Sequence, residues 1–134
     1  MNWYLKVLKQ FADFSGRTSR REYWMFTLLS VIISFAFGLV LGLIMFLIIL
    51  IANALKVEEI AYLAHIVSAL WVVYVLALFT ANFSIFVRRM HDIGKSGWVM
   101  LLIFVPFIGP IILLIWLCQI GQVEENKYGP APIQ

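Results

Sequence analysis

The chain has 134 residues, of which 63% are hydrophobic and 13% charged, and its formal net charge is +3. Soluble domains carry roughly a quarter charged residues, so this composition excludes an ordinary water-soluble globule. A single cysteine, Cys118, excludes an internal disulfide, and its place in an apolar run predicts a small buried hydrophobe. The basic residues flank apolar runs, which indicates orientation in a membrane and no nucleic-acid partner.

The charged residues leave three long gaps. No Asp, Glu, Lys or Arg occurs from Tyr23 to Leu55, from Ile60 to Val87, or from Ser96 to Val123. Each gap is longer than the ~20 apolar residues that cross a bilayer core of ~30 Å. The sequence therefore predicts a single all-α integral membrane domain with about three transmembrane segments and the lipid bilayer as its main partner.

Residues 1–14 have apolar side chains at helical spacing and a basic polar face. This pattern predicts an amphipathic helix lying in the membrane interface. The alternative is a short helix packed on the cytosolic face of the protein itself.

The first membrane segment is predicted over residues 20–53. Ser15-Gly16 breaks the preceding helix, and Ser19 with Glu22 has the spacing of a capping box, in which each residue bonds the backbone N–H of the other. Tyr23 and Trp24 follow where an aromatic belt is expected.

A ladder of small residues lies within this first segment. Ser34, Gly38 and Gly42 are four residues apart and so share one helix face. Small residues let another helix approach closely in a bilayer. Packing against the second segment of the same chain is favoured over association into a homo-oligomer.

The second segment is predicted over residues 58–88 and the third over 98–120. Pro106, Gly109 and Pro110 interrupt the third segment, because proline removes a backbone donor and breaks helices. It is either one kinked crossing, which is favoured, or a re-entrant hairpin. A polar tail, 121–134, follows it.

The distribution of Lys and Arg gives an orientation. Basic residues gather before the first segment and between the second and third, whereas the loop at 53–59 has only Lys56. The positive-inside rule then places the N-terminus in the cytoplasm. The side on which the tail lies stays open.

The two basic stretches are expected to share one membrane face. Arginine pairs in bidentate fashion with phosphate and carboxylate groups. The face is thus predicted to orient the protein and contact lipid headgroups, with an anionic lipid, a phosphorylated ligand or a protein partner as the sharper hypothesis. The candidate residues are Arg17, Arg20, Arg21, Glu22, Arg88, Arg89, His91, Asp92 and Lys95.

The sequence gives little support for catalysis or metal binding at this face. His91 and Asp92 are adjacent and point in different directions, and no further His or Cys is spaced to complete a metal site. We therefore predict no metal, no cofactor and a non-enzymatic accessory or binding protein. The main alternative is an oligomeric channel or transporter component that uses the broken third segment. An interfacial enzyme using His91 and Asp92 is the least favoured.

Three motifs together carry a resemblance to a known family. They are Phe14-x-Gly16-Arg17-x-Ser19-Arg20-Arg21-Glu22-Tyr23-Trp24, then Arg88-Arg89-x-His91-Asp92-x-Gly94-x-Ser96-Gly97-Trp98 before the broken run, and Asn126-x-Tyr128-Gly129-Pro130 in the tail. The chain resembles the domain-of-unknown-function family 805, the YhaH-like small bacterial inner-membrane proteins, over nearly its whole length. The resemblance implies a multi-pass fold in the bacterial cytoplasmic membrane. It implies no established activity, substrate or cofactor.

Overall fold

The structure, a computed structural model, describes residues 12–132, without the side chains of Glu58 and Ala61. Three α-helices, α1 (Arg20–Leu55), α2 (Glu58–Asp92) and α3 (Ile108–Cys118), and one 3₁₀ helix (Gly97–Phe104) make up the regular structure of these residues. The predicted all-α membrane class is confirmed. The interfacial helix predicted over residues 1–14 lies outside the described residues as far as residue 11. Residues 12–14 form a turn and irregular chain.

Helix α1 begins at the predicted capping box. The Glu22 amide donates to the Ser19 hydroxyl at 3.3 Å, and the Ser19 amide donates to the Glu22 carboxylate at 3.4 Å. These reciprocal bonds satisfy two donors that a helix start leaves without partners. The helix therefore starts at Arg20, where the sequence placed it, and it ends at Leu55.

Helices α1 and α2 are both long and apolar enough to cross a membrane, over Arg20–Leu55 and Tyr62–Asp92. The described residues divide into two compact units, the first built from 12–27 with 80–132 and the second from Leu28–Phe79. In the second unit, large apolar side chains such as Phe35 and Val73 are about two-thirds exposed, at 69% and 65%. An apolar exterior of this kind suits hydrocarbon and would be costly in water.

Within the second unit, α1 and α2 pack through part of the small-residue ladder. The Ser34 hydroxyl lies 3.2 Å from the Tyr74 hydroxyl, and a methyl group built on Gly38 would lie 3.2 Å from the Trp71 ring. The same group built on Gly42 would meet open space. Two of the three positions therefore face α2, and Gly42 does not.

The first unit has its core where α1 begins and α2 ends. Its buried apolar residues are Tyr23, Phe26, Ala81, Ile85, Met90 and Leu117. Helix α2 continues four residues beyond the expected end at Arg88, to Asp92. It does so because the polar side chains of its last turn bond to other segments of this unit and need not reach water.

The third apolar run is broken at Val105–Phe107, between the 3₁₀ helix and α3. The break falls at Pro106, as predicted. Gly109 and Pro110 lie in the first turn of α3, where proline is tolerated because the amides there have no partner within the helix.

The two arms on either side of this break form a hairpin. The 3₁₀ helix starts beside α2, with Gly97 against the Val87 side chain, and α3 returns so that Lys95 lies 4.0 Å from the Trp116 ring. The sequence favours one kinked crossing, with a re-entrant hairpin as the alternative. In the structure the two arms fold back on each other, and Gly109 permits this because, without a side chain, its backbone can touch the Leu102 carbonyl.

We expect Gly109→Ala to destabilise the protein, because the added methyl group would overlap the Leu102 carbonyl. Overpacking of this kind costs about 1–3 kcal/mol or more. Thermal unfolding in detergent measures the effect. Gly42→Ala is the matched control, since its methyl group enters open space, and an equal loss of stability in both variants would contradict the close approach of the two arms.

Candidate functional site

The centre of the first unit is a buried carboxylate held between two arginines. Asp92, the last residue of α2, is 2% exposed. Arg17 donates to its Oδ1 atom from Nε at 3.1 Å and from Nη2 at 3.0 Å, and Arg89 donates to its Oδ2 atom from Nη1. Both guanidinium groups are fully buried. Buried charges require such pairing, because each ion has lost its hydration shell.

Arg17 also joins the polar tail to this centre. Its Nη1 atom donates to the carbonyls of Glu124 at 2.7 Å and Gly129 at 3.2 Å, and its Nη2 atom donates to that of Gln122. The Gln122 amide in turn donates to the Asp92 carbonyl at 2.9 Å. One side chain thus links the segment before α1, the end of α2 and the tail.

Two arginines satisfy the carbonyls at the end of α3. Arg89 donates to the Leu117 carbonyl at 3.3 Å and to that of Gln119, and Arg20 donates to the Cys118 carbonyl at 3.1 Å. The last carbonyls of a helix have no partner within the helix, and they carry partial negative charge. These arginines therefore act as C-terminal caps of α3.

His91 contacts the tail and the N-terminal loop. Its ring stacks on Tyr128 with centroids 3.7 Å apart and planes 4° from parallel, and its Nδ1 atom lies 3.2 Å from the Gly16 carbonyl. The side-chain amide of Asn126 donates from Nδ2 to the His91 carbonyl at 3.0 Å. The neighbouring side chains of His91 and Asp92 thus contact different groups. Among residues 12–132 no three His, Cys, Asp or Glu side chains group around a common metal position.

The other predicted residues serve mainly to join segments. The Arg88 carbonyl accepts from the Thr18 amide at 3.1 Å, and the Arg88 side chain is buried. Lys95 lies over the Trp116 ring, and Glu22 completes the capping box. Asp13, which precedes α1, bonds to a neighbour in the sequence. It accepts bonds from the side chain and backbone of Ser15, which hold the pKa of its carboxyl below the ordinary value.

Two arginines of the predicted face are exposed. Arg20 and Arg21 open the first turn of α1 and line a cleft of about 370 Å³. The remaining walls are Ser19 and the buried Asp92, with residues 120–122 and Pro132 of the tail. This cleft combines two exposed guanidinium groups with the positive end of a helix.

The sequence identifies the charged residues of this centre but not their partners. Arg17 and Asp92 are 75 positions apart, and most acceptors of the arginines are backbone carbonyls, which no residue type marks. The tail motif Asn126–Gly129 is the one sequence feature that indicates a contact between the tail and this centre. It forms an isolated bridge with Gly129 at a φ of 119°, and it brings Tyr128 to His91.

The fold and this site define a small helical membrane protein whose uncharged hairpin and polar tail are fastened by arginines to the ends of two long helices. The chain belongs to the family described as Protein of unknown function (DUF805), whose profile matches residues 11–130. This confirms the resemblance carried by the three motifs, all of which lie in the first unit.

Two relatives from Escherichia coli (strain K12) are similar over nearly their whole length. The inner membrane protein YhaI is 39% identical over 132 residues, which are 98% of this chain and 96% of the relative. The inner membrane protein YhaH is 36% identical over 132 residues, which are 98% of this chain and 97% of the relative. Both names state a location and no reaction. No solved structure matches the chain significantly.

Asp92→Asn should destabilise the first unit strongly, because Arg17 and Arg89 would stay buried without a counter-charge. Breaking a buried pair in this way costs about 3–5 kcal/mol. The measurement is the unfolding free energy in mixed detergent micelles.

Glu125→Gln is the matched control, as it makes the same carboxylate-to-amide change at an exposed tail position. Exposed substitutions usually change stability by no more than about 0.5 kcal/mol. Similar unfolding free energies for the two variants would show that the buried pair does not stabilise this unit.

Proposed function

We propose that this chain is a non-enzymatic accessory protein of the bacterial inner membrane whose exposed arginines bind the phosphate headgroups of anionic lipids. The observation that carries the proposal is that some arginines are buried and others are exposed. Arg17 and Arg89 are buried and bonded inside the protein, whereas Arg20 and Arg21 are exposed at the cleft beside the first turn of α1, although Arg20 also donates one bond to the Cys118 carbonyl.

Several physical features of the cleft suit a phosphate group. Arginine presents donors in a planar fork that matches phosphate oxygens. A helix N-terminus adds backbone donors and partial positive charge. The cleft also adjoins the start of a helix that can cross the membrane, so its depth corresponds to the headgroup layer. Zwitterionic lipids also carry a phosphate, but two arginines would repel their ammonium group, so the positive charge of the cleft favours an anionic lipid.

The orientation belongs to the same proposal. The positive-inside rule favours the cytosolic side for this end of the first unit, because basic residues lie before α1 and at the end of α2. The cytosolic leaflet attracts basic segments because it carries anionic lipids. A cytosolic N-terminus therefore brings Arg20 and Arg21 to the leaflet that holds their proposed ligand.

The end of the broken segment gives less support to a channel or transporter. Discontinuous helices in transporters coordinate ions with backbone carbonyls freed at the break. Here the carbonyls at the end of α3 accept bonds from Arg20 and Arg89. This geometry favours a structural role for the hairpin over an ion pathway.

Arg21→Gln tests the lipid proposal. In neutral detergent we expect the protein to retain phosphatidylglycerol in preference to phosphatidylcholine of the same chain length, as measured by native mass spectrometry. Loss of one charge-assisted contact should weaken the retention of phosphatidylglycerol by about tenfold, which corresponds to ~1.4 kcal/mol.

Two further variants make the test specific. Arg20→Lys keeps a donor for the Cys118 carbonyl and removes the planar fork, so it should lower the preference for phosphatidylglycerol without unfolding α3. Lys56→Gln removes one charge from the loop between α1 and α2 and should change nothing. An equal effect of Lys56→Gln, or no effect of Arg21→Gln, would refute the proposal.

A further inference from the structure

The hairpin of the 3₁₀ helix and α3 is half as long as a membrane-spanning helix. Eight residues of 3₁₀ helix at ~2.0 Å rise and eleven of α-helix at 1.5 Å rise each extend about 16 Å. The hydrocarbon core of a bilayer is ~30 Å thick. Each arm therefore reaches through about one leaflet.

The hairpin runs back along α2, away from the arginines. Its two open ends lie at the charged centre, where Gly97 meets Val87 and Arg89 bonds the Leu117 carbonyl. Further along the 3₁₀ helix, Leu101 and Phe104 share one groove with Phe83 of α2. The tip therefore lies alongside the apolar part of α2, at a distance from the headgroup level marked by the arginines.

The tip has few backbone donors that would need water. Pro106 and Pro110 carry no N–H group. The Ile108 amide donates to the Pro106 carbonyl at 2.7 Å, and the Gly109 amide donates to the Val105 carbonyl at 3.0 Å. Unsatisfied backbone groups are excluded from hydrocarbon because each costs several kcal/mol. These bonds and the two prolines make the start of α3 compatible with an apolar surrounding.

The outer surface of the hairpin is apolar. Phe104 and Phe107 at the tip are 80% and 86% exposed, and Ile108 is 63% exposed. No charged residue occurs between Lys95 and Glu124. An apolar surface of this extent is unfavourable in water on a protein this small. Acyl chains are therefore the surrounding that fits both its chemistry and its length.

We propose that the hairpin 97–118 inserts into the acyl chains of the leaflet on the arginine side and ends near the bilayer centre. The chain then crosses the membrane twice, through α1 and α2. The tail, which Arg17 holds beside Asp92, lies on the same side as the start of α1.

Single-cysteine variants in a Cys118→Ser background test this topology with a membrane-impermeant maleimide applied to either face of sealed membrane vesicles. Arg21→Cys and Glu125→Cys should be labelled from one face and Lys56→Cys from the other. Phe107→Cys should be labelled from neither. Labelling of Phe107→Cys or Glu125→Cys from the face that exposes Lys56→Cys would overturn the proposal, because the third segment would then cross fully.

Depth is measured with a bimane fluorophore on the same cysteines and quenchers attached to the acyl chains. Fluorescence at Phe107→Cys should be quenched more strongly by quenchers near the bilayer centre than by those near the headgroups. The order should reverse at Cys118 of the unaltered chain, whose side chain is exposed although its place in an apolar run predicts a buried one. Phe104→Cys repeats the measurement should Phe107→Cys fail to accumulate. If neither quencher reaches the tip, protein covers it in place of lipid, and the proposal is wrong.

Discussion

The carboxylate of Asp92 is the group on which the first unit depends. Two guanidinium groups are buried against it, and neither could lose its hydration without that opposite charge. Arg17 comes from the segment before α1 and Arg89 from the last turn of α2, and the backbone of Asp92 accepts from the tail. The positions of three chain segments therefore follow from one ion cluster. Gly121 is part of it, since any side chain there would overlap the Asp92 carboxylate.

Some arginines bond groups within the protein, and others are exposed at its surface. Arg89 and Arg20 bond the final carbonyls of α3, so the C-terminal end of this short helix has its polar groups satisfied. Arg21, and the part of Arg20 that does not bond α3, lie at the surface beside the start of α1. Part of the basic cluster that the sequence predicts as a binding face therefore bonds to other groups of the protein itself. The exposed part carries the proposed contact with anionic lipid.

Charge gaps and local motifs were enough to predict the helical membrane class, the start of α1 at Ser19–Glu22 and the break at Pro106. Each depends on residues close in sequence, so a local pattern contains the information. The pairing of Arg17 with Asp92 and the return of α3 depend on contacts between distant segments and on backbone acceptors. The sequence indicates a helix breaker at Gly109, whereas its structural role is to let two backbones touch. A single sequence does not distinguish these roles.

Hydrogen exchange of Arg17→Gln, read by mass spectrometry peptide by peptide, tests most directly whether the ion cluster holds these segments together. Loss of the Arg17 side chain should raise exchange in three places at once: the segment before α1, the end of α2 near Asp92, and tail residues 120–129. Amides of α1 within the second unit should exchange as before. An increase confined to the residues around position 17 would show that the tail and α2 are held by other contacts.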